Sequence, residues 1–264
     1  MGFASLGSGS KGNGTVVSFA DDDRGSTTFL VDCGFTLKQT EQRLARLGLA
    51  CGDLDGIFVS HEHADHISGV SAVAHRYGVK VYASYGTATR LEIDCHRFDG
   101  DVPFQVSGVD VNPVRVPHDA REPTQFVFSK GDETIGVLSD LGSVTRHVLQ
   151  QFKTCTHILL ESNHDRTMLA NGSYPERLKQ RVGADYGHLS NEQALHLLEQ
   201  IAHEELDVVI GHVSEQNNRL DILEQLFQPM RASVRSLNIA SQGTGIDWVG
   251  YRPTARQRSF SEVS

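Results

Sequence analysis

Short apolar runs separated by glycine and polar turns recur along the whole chain, and the β-branched and aromatic ones read as strands. In the first half these are Thr28-Phe29-Leu30-Val31-Asp32, Gly56-Ile57-Phe58-Val59 and Val79-Lys80-Val81-Tyr82-Ala83. Helical spacing fills the gaps between them. Thr36 and Gln39 form a capping box ahead of Leu37, Leu44 and Leu47, with Gly48 as the stop. Ile67, Val70, Val73 and Ala74 predict a second helix over residues 67–77, closed by Gly78. From 102 to 138 the signals are nearly all strand, at 103–106, 109–111, 114–116, 125–128 and 134–138. The second half adds strands at 156–161, 206–210 and 234–240. It also adds a helix opened by Ser190 and Gln193 that buries Ala194, Leu195, Leu198 and Ile201. Strands and then helices in both halves predict an α/β chain of two sheets packed face to face with helices outside.

Gly7-Ser8-Gly9-Ser10-Lys11-Gly12 has the spacing of a dinucleotide-binding loop, but such a loop must open a helix that receives the pyrophosphate. Here Thr15-Val16-Val17-Ser18-Phe19 follows instead, a strand pattern, so the segment is expected to be a β-hairpin loop able to lend N–H groups to an anion. No linker, repeat or low-complexity block interrupts the 264 residues, which are read as one domain spanning 1–264. No basic leader precedes a long apolar run, and no stretch approaches the ~18 apolar residues of a membrane span. Cys33, Cys51, Cys95 and Cys155 stand apart without a C-x-x-C pair, as reduced thiols do. A cytoplasmic protein away from the membrane is expected. The net charge of −9 argues against a nucleic-acid coat, yet leaves room for a local phosphate site. Between 166 and 181, Arg166, Arg177, Lys179 and Arg181 stand against Glu176 alone.

The densest chemistry lies in Phe58-Val59-Ser60-His61-Glu62-His63-Ala64-Asp65-His66. Imidazole and carboxylate suit Zn²⁺, Mn²⁺ or iron, and no cysteine is near enough in sequence to close a structural zinc site. In an extended segment His61 and His63 point the same way and share one ion, because side chains alternate with period two. Asp65 and His66 follow once the chain turns and face a second position, so two ions are expected rather than one. Later strands end on further ligand types: His118 after Val116-Pro117, Asp140 after Val137-Leu138-Ser139, and His212 after strand 206–210. His75, His147, His157, His196 and His203 lie inside helix or strand patterns and are read as ordinary surface or core histidines.

These five motifs, in this order and over nearly the whole length, resemble the metallo-β-lactamase superfamily. The resemblance implies a four-layer αββα sandwich of two mixed β-sheets flanked by helices. It implies that His61, His63 and His118 hold one divalent ion, that Asp65, His66 and His212 hold another, and that Asp140 bridges them. A carboxylate has two oxygens to offer, whereas each neutral imidazole has one lone pair. Water between two such ions loses a proton near neutral pH, which would give a bridging hydroxide for in-line attack.

The segment between Asp140 and His212 is too short for the inserted domain of RNase J-like members and lacks the long arm of tRNase Z members. Its Glu161-Ser162-Asn163-His164-Asp165, Gly172-Ser173-Tyr174-Pro175 and Gly187-His188-Leu189-Ser190-Asn191 resemble the YycJ-type branch. The N-terminal loop and His212-Val213-Ser214-Glu215-Gln216-Asn217-Asn218 resemble it too. That branch implies a phosphodiesterase, a 5′-exonuclease acting on DNA rather than RNA. Catalytic candidates are His188 as the acid that protonates the leaving oxygen, His164 as its alternate or as an orienting residue, and Asp65. Ser8, Ser10, Asn13, Ser190 and Asn191 are candidate substrate contacts. A thioester or lactone hydrolase, or a hydrolase of small phosphodiesters, would use the same ions. A regulatory protein on a degenerate scaffold would lack ligands, and none of the seven is missing. The oligomeric state has no signature in the sequence.

Overall fold

The computed structural model describes residues 1–21 and 25–250. Its first sheet is built from β1 (Gly2–Gly7), β2 (Gly14–Asp21), β3 (Gly25–Val31), β4 (Gly56–Val59), β5 (Val81–Ser84) and β6 (His96–Phe98), lying side by side in that order. The second contains β7 (Phe104–Val106), β8 (Val109–Arg115), β9 (Thr124–Lys130), β10 (Glu133–Leu138), β11 (His157–Glu161), β12 (Asp207–Gly211) and β13 (Ser236–Ile239), again in order. β14 (Ile246–Gly250) returns to the first sheet and pairs with β1.

Each sheet is antiparallel on one side and parallel on the other, the change falling at β3/β4 and at β10/β11. Parallel neighbours need crossovers, and helices supply them. They are α1 (Leu37–Arg46), α2 (Ala64–Ile67), α3 (Val70–Tyr77), α4 (Tyr85–Ala88), α5 (Arg146–Phe152), α6 (Arg166–Asn171), α7 (Glu176–Val182), α8 (Asn191–Ile201) and α9 (Leu220–Phe227). The capping boxes read at Thr36/Gln39 and Ser190/Gln193 are both formed.

Three apolar layers follow from the period of two. Phe58 enters the inter-sheet core with Phe29, Phe126, Phe128 and Tyr82, while its neighbours Ile57 and Val59 face Leu44, Val70 and Val73 under α1 and α3. On β11 and β12, Leu159 and Val209 turn inward, and Ile158, Leu160, Val208 and Ile210 turn toward α5, α8 and α9. The result is the expected αββα sandwich. Phe58 is edge-on to three phenylalanines and stacked on Tyr82 at 4.7 Å, which fixes β4 and the loop it feeds.

Two expectations change. The helix read over 67–77 is two helices, because at Gly69 the chain approaches Cys33 and Phe35 so closely that a Cβ would lie 2.0 Å from the Phe35 carbonyl oxygen. The Gly69 N–H bonds the Cys33 carbonyl there. On α8, Leu197 is fully buried, whereas Leu195 is only half-buried. His157 is the core histidine expected, buried with its Nε2 3.2 Å from the Asp207 carboxylate.

Candidate metal centre

The histidines and carboxylates gather where strands of both sheets end. β4 leads into Ser60 and His61, with His63 just before α2 and Asp65 and His66 within it. His118 follows β8, Asp140 follows β10, Glu161 closes β11, and His212 follows β12 directly. Asp140 and His212 have φ of 52° and 49°, and Asp32, just after β3, has φ of 60°. Left-handed backbone at non-glycine residues is costly, and strain of this kind collects at functional sites.

The expected first trio is assembled. His61 Nε2 lies 2.9 Å from His63 Nδ1, and His118 Nε2 lies 3.4 Å from that same nitrogen. Three imidazoles aiming nitrogen at one point repel unless a proton or a cation lies between them. His66, Asp140 and His212 meet beside them: Asp140 Oδ2 is 3.3 Å from His66 Nε2 and 2.8 Å from His212 Nδ1. Asp65 Oδ2 is 3.6 Å from His66 Nε2, at the edge of the cluster. His61, His66 and Asp140 could together hold an ion, and so could Asp140 with Glu161, His188 and His212, so Asp140 belongs to both groups. Nitrogen and oxygen donors without thiolate are the set that takes Zn²⁺ or Mn²⁺.

The electrostatics suit a cation. Burial alone would lower the His66 pKa, but Asp140 and Asp32 together hold it well above the usual histidine value. Burial would likewise raise Asp140, yet His212 and His66 hold it well below the ordinary carboxylate range. His61 and His118, deep and flanked by other imidazoles, are pushed down by burial and kept neutral, the form that ligates.

Two carboxylates without an expected role complete the site. Asp32 Oδ2 lies 2.8 Å from His66 Nδ1, while its carboxylate accepts from the Ser60 N–H and hydroxyl, both at 2.8 Å. Ser60 Oγ in turn sits 3.0 Å from His61 Nδ1. Such outer partners fix ring orientation and tautomer. Glu161, fully buried, bonds His188 Nδ1 through Oε1 at 2.7 Å and accepts from the Leu141 and Leu189 N–H groups through Oε2. Burial would lower His188, but Glu161 overrides it and pushes the imidazole up to about 9. The sequence signal was present in both cases: a lone carboxylate ending an otherwise apolar buried strand.

The substrate candidates divide. The N-terminal loop is the expected hairpin, with Gly7 paired to Gly14. Ser10 is exposed and lines the cleft above the cluster. Ser8 and Asn13 are buried, Ser8 accepting from the His212 N–H, and Asn13 bonding Asp65 and contacting His66 Nε2 at 3.0 Å, so they brace ligands. Ser190 and Asn191 are not placed to meet substrate. Ser190 caps α8 and accepts from Arg166, and Asn191 is bound to Ser162 and Asn218. His164, expected outside the seven ligands, lies outside the ligand groups and lines a cavity separate from the cleft, with Arg166 and Lys179, its pKa pushed down to about 4 by burial.

Two sheets flanked by helices, with His and Asp converging at the strand ends, define a metal-dependent hydrolase. The chain belongs to the superfamily whose model is described as a beta-lactamase superfamily domain, which matches residues 27–212. Within it the chain is a YycJ-type member. It is 31% identical over 260 residues to Exodeoxyribonuclease WalJ of Streptococcus pneumoniae, covering 94% of this chain and 93% of that one. Exodeoxyribonuclease YycJ of Bacillus anthracis is 33% identical over 229 residues, covering 83% and 85%. The metallo-beta-lactamase fold protein YhfI from Bacillus subtilis shares the fold at TM-score 0.66 and 15% identity, over 92% of this chain and 97% of its own.

Proposed function

We propose that the protein is a binuclear phosphodiesterase that degrades DNA from its 5′ end. The observation that carries this reading is the His188–Glu161 pair beside overlapping ligand groups that share Asp140. His61, His63 and His118 would hold one divalent ion, Zn²⁺ or Mn²⁺ and with the same donors iron, and Asp65, His66 and His212 the other, with Asp140 common to both. Bound there, the ions supply Lewis acidity at a phosphate and lower the pKa of water.

The chain's own residues do the rest. Asp32 and Ser60 hold the His66 and His61 rings in register for that charge. His188 lines the cleft, its ring 5.2 Å from that of His118 and 5.1 Å from that of His212. Glu161 occupies its Nδ1, which leaves Nε2 to donate. Kept protonated at neutral pH, His188 hands that proton to the departing sugar oxygen, and the Glu161 carboxylate stabilises the imidazolium until then. Glu161 itself is consumed by three hydrogen bonds, which makes it an anchor for the acid rather than a ligand.

The relatives named exodeoxyribonucleases support nucleic acid as substrate and DNA as its kind. Among the described residues no helix is long and apolar enough to cross a membrane. The four free thiols suit a reducing, cytoplasmic setting. The test is to supply Zn²⁺, Mn²⁺ or Fe²⁺ to purified protein with DNA and RNA strands labelled at either end, beside a thioester. Shortening of DNA from the 5′ end is expected; thioester hydrolysis without strand cleavage would overturn the reading.

A further inference from the structure

The cleft over the metal ligands holds about 340 Å³, near the lower end of the ~300–1,000 Å³ usual for ligand pockets, a size that suits one nucleotide. Its two walls differ in character. One carries His63, Asp65, Asp140, His188 and His212; the other is formed by Tyr174, Leu178 and Val182, with Arg181 beside them. Leu178 and Val182 are four apart on one face of α7, and Tyr174, just ahead of the Pro175 cap, continues that wall of the cleft. Nothing in the core claims that wall. α7 has no buried residue, and neither Leu178 nor Val182 belongs to an apolar cluster of the core. Tyr174 is half-buried, and among the described residues it is, apart from histidines, the one aromatic residue lining the cleft. α7 is held over the ligands by its backbone: a Cβ at Gly187 would lie 2.3 Å from the Arg181 and Val182 carbonyl oxygens, and the His188 N–H bonds the Val182 carbonyl. Arg181 is tied to Asp119, next to His118, which fixes a cation at the rim.

We propose that the Tyr174–Leu178–Val182 wall is a nucleobase platform. On the nuclease reading above, one nucleotide of the strand sits with its phosphate toward the ligand wall and its base stacked on Tyr174, while Arg181 meets a neighbouring phosphate. The platform accepts any base, since every base offers a π-face, and the cleft admits a single strand rather than a duplex.

Steady-state cleavage of a single strand bearing either a normal or an abasic terminal nucleotide tests this, together with the affinity of a hydrolysis-resistant phosphorothioate strand. Tyr174→Ala is expected to raise KM and Kd about 5- to 150-fold on the normal strand, the worth of one base–aromatic stack, with kcat little changed. On the abasic strand, already weakened in the wild type, the variant should lose nothing more. Tyr174→Phe should behave as wild type. Unchanged melting temperature and metal content exclude a folding defect. Equal losses for Tyr174→Ala on both strands, or a wild-type KM on the normal one, would overturn the platform. Failure of the wild type to cleave either strand would instead overturn the nuclease reading.

Discussion

Nδ1 of His188 lies 2.7 Å from Oε1 of Glu161, a carboxylate with no solvent exposure, and this contact favours the protonated imidazole that the proposed acid role requires. With its pKa raised to about 9, His188 holds its proton below that pH and loses it above. DNA cleavage, as kcat/KM, is therefore expected to be flat near neutrality and to fall as pH rises through the His188 value. Bound cations would move that limb lower in every variant alike. Glu161→Gln keeps the shape of the partner but removes the charge, so burial dominates and the limb should shift further down. A limb at the same pH in both proteins would count against the pair.

His188→Ala is expected to slow DNA cleavage by ~10²–10⁴, the usual contribution of a placed acid. A nitrophenyl phosphodiester has a leaving group that needs little protonation, so the variant should act on it nearly as the wild type does. Elemental analysis should find its metal content unchanged. Loss of metal would make His188 a ligand, which its place near Asp140 and His212 also permits.

Asp32 is expected to act on metal affinity through His66 and Ser60. Asn tolerates the left-handed backbone at this position, so Asp32→Asn isolates the charge. Removing an outer partner of a ligand typically weakens metal binding ~10–100-fold, and competition with a chromophoric chelator measures it. Wild-type affinity would show that His66 needs no such support.

Asp140→Asn should cost more than Asp32→Asn, since it takes the negative charge from between His66 and His212 rather than from behind one ring. Both metal content and cleavage should collapse. Retention of two ions per chain would remove Asp140 from the shared position.

The sequence was informative where chemistry was contiguous or stood at a strand end already marked by its apolar run. His61, His63, Asp65 and His66 fall within six positions, and His118, Asp140 and His212 each follow a readable strand. Asp32 and Glu161 also end such strands, but their meaning lies in partners 34 and 27 residues away, His66 and His188, which only the folded chain brings together. Ser190 and Asn191 were misplaced for the converse reason. Polar residues beside a histidine resemble a binding loop until the helix they cap and the asparagine pair they close are seen. α6 and α7 are too short to show an apolar period. α7 buries nothing, so no core stripe marks it.

The most direct test is the rate of DNA cleavage measured against bound metal per chain, in protein stripped with a chelator and titrated with Zn²⁺ or Mn²⁺. Two overlapping ligand groups sharing Asp140 lead us to expect little cleavage at one equivalent and full activity as the second ion binds. Full activity at one ion per chain, or none at two, would contradict the binuclear phosphodiesterase.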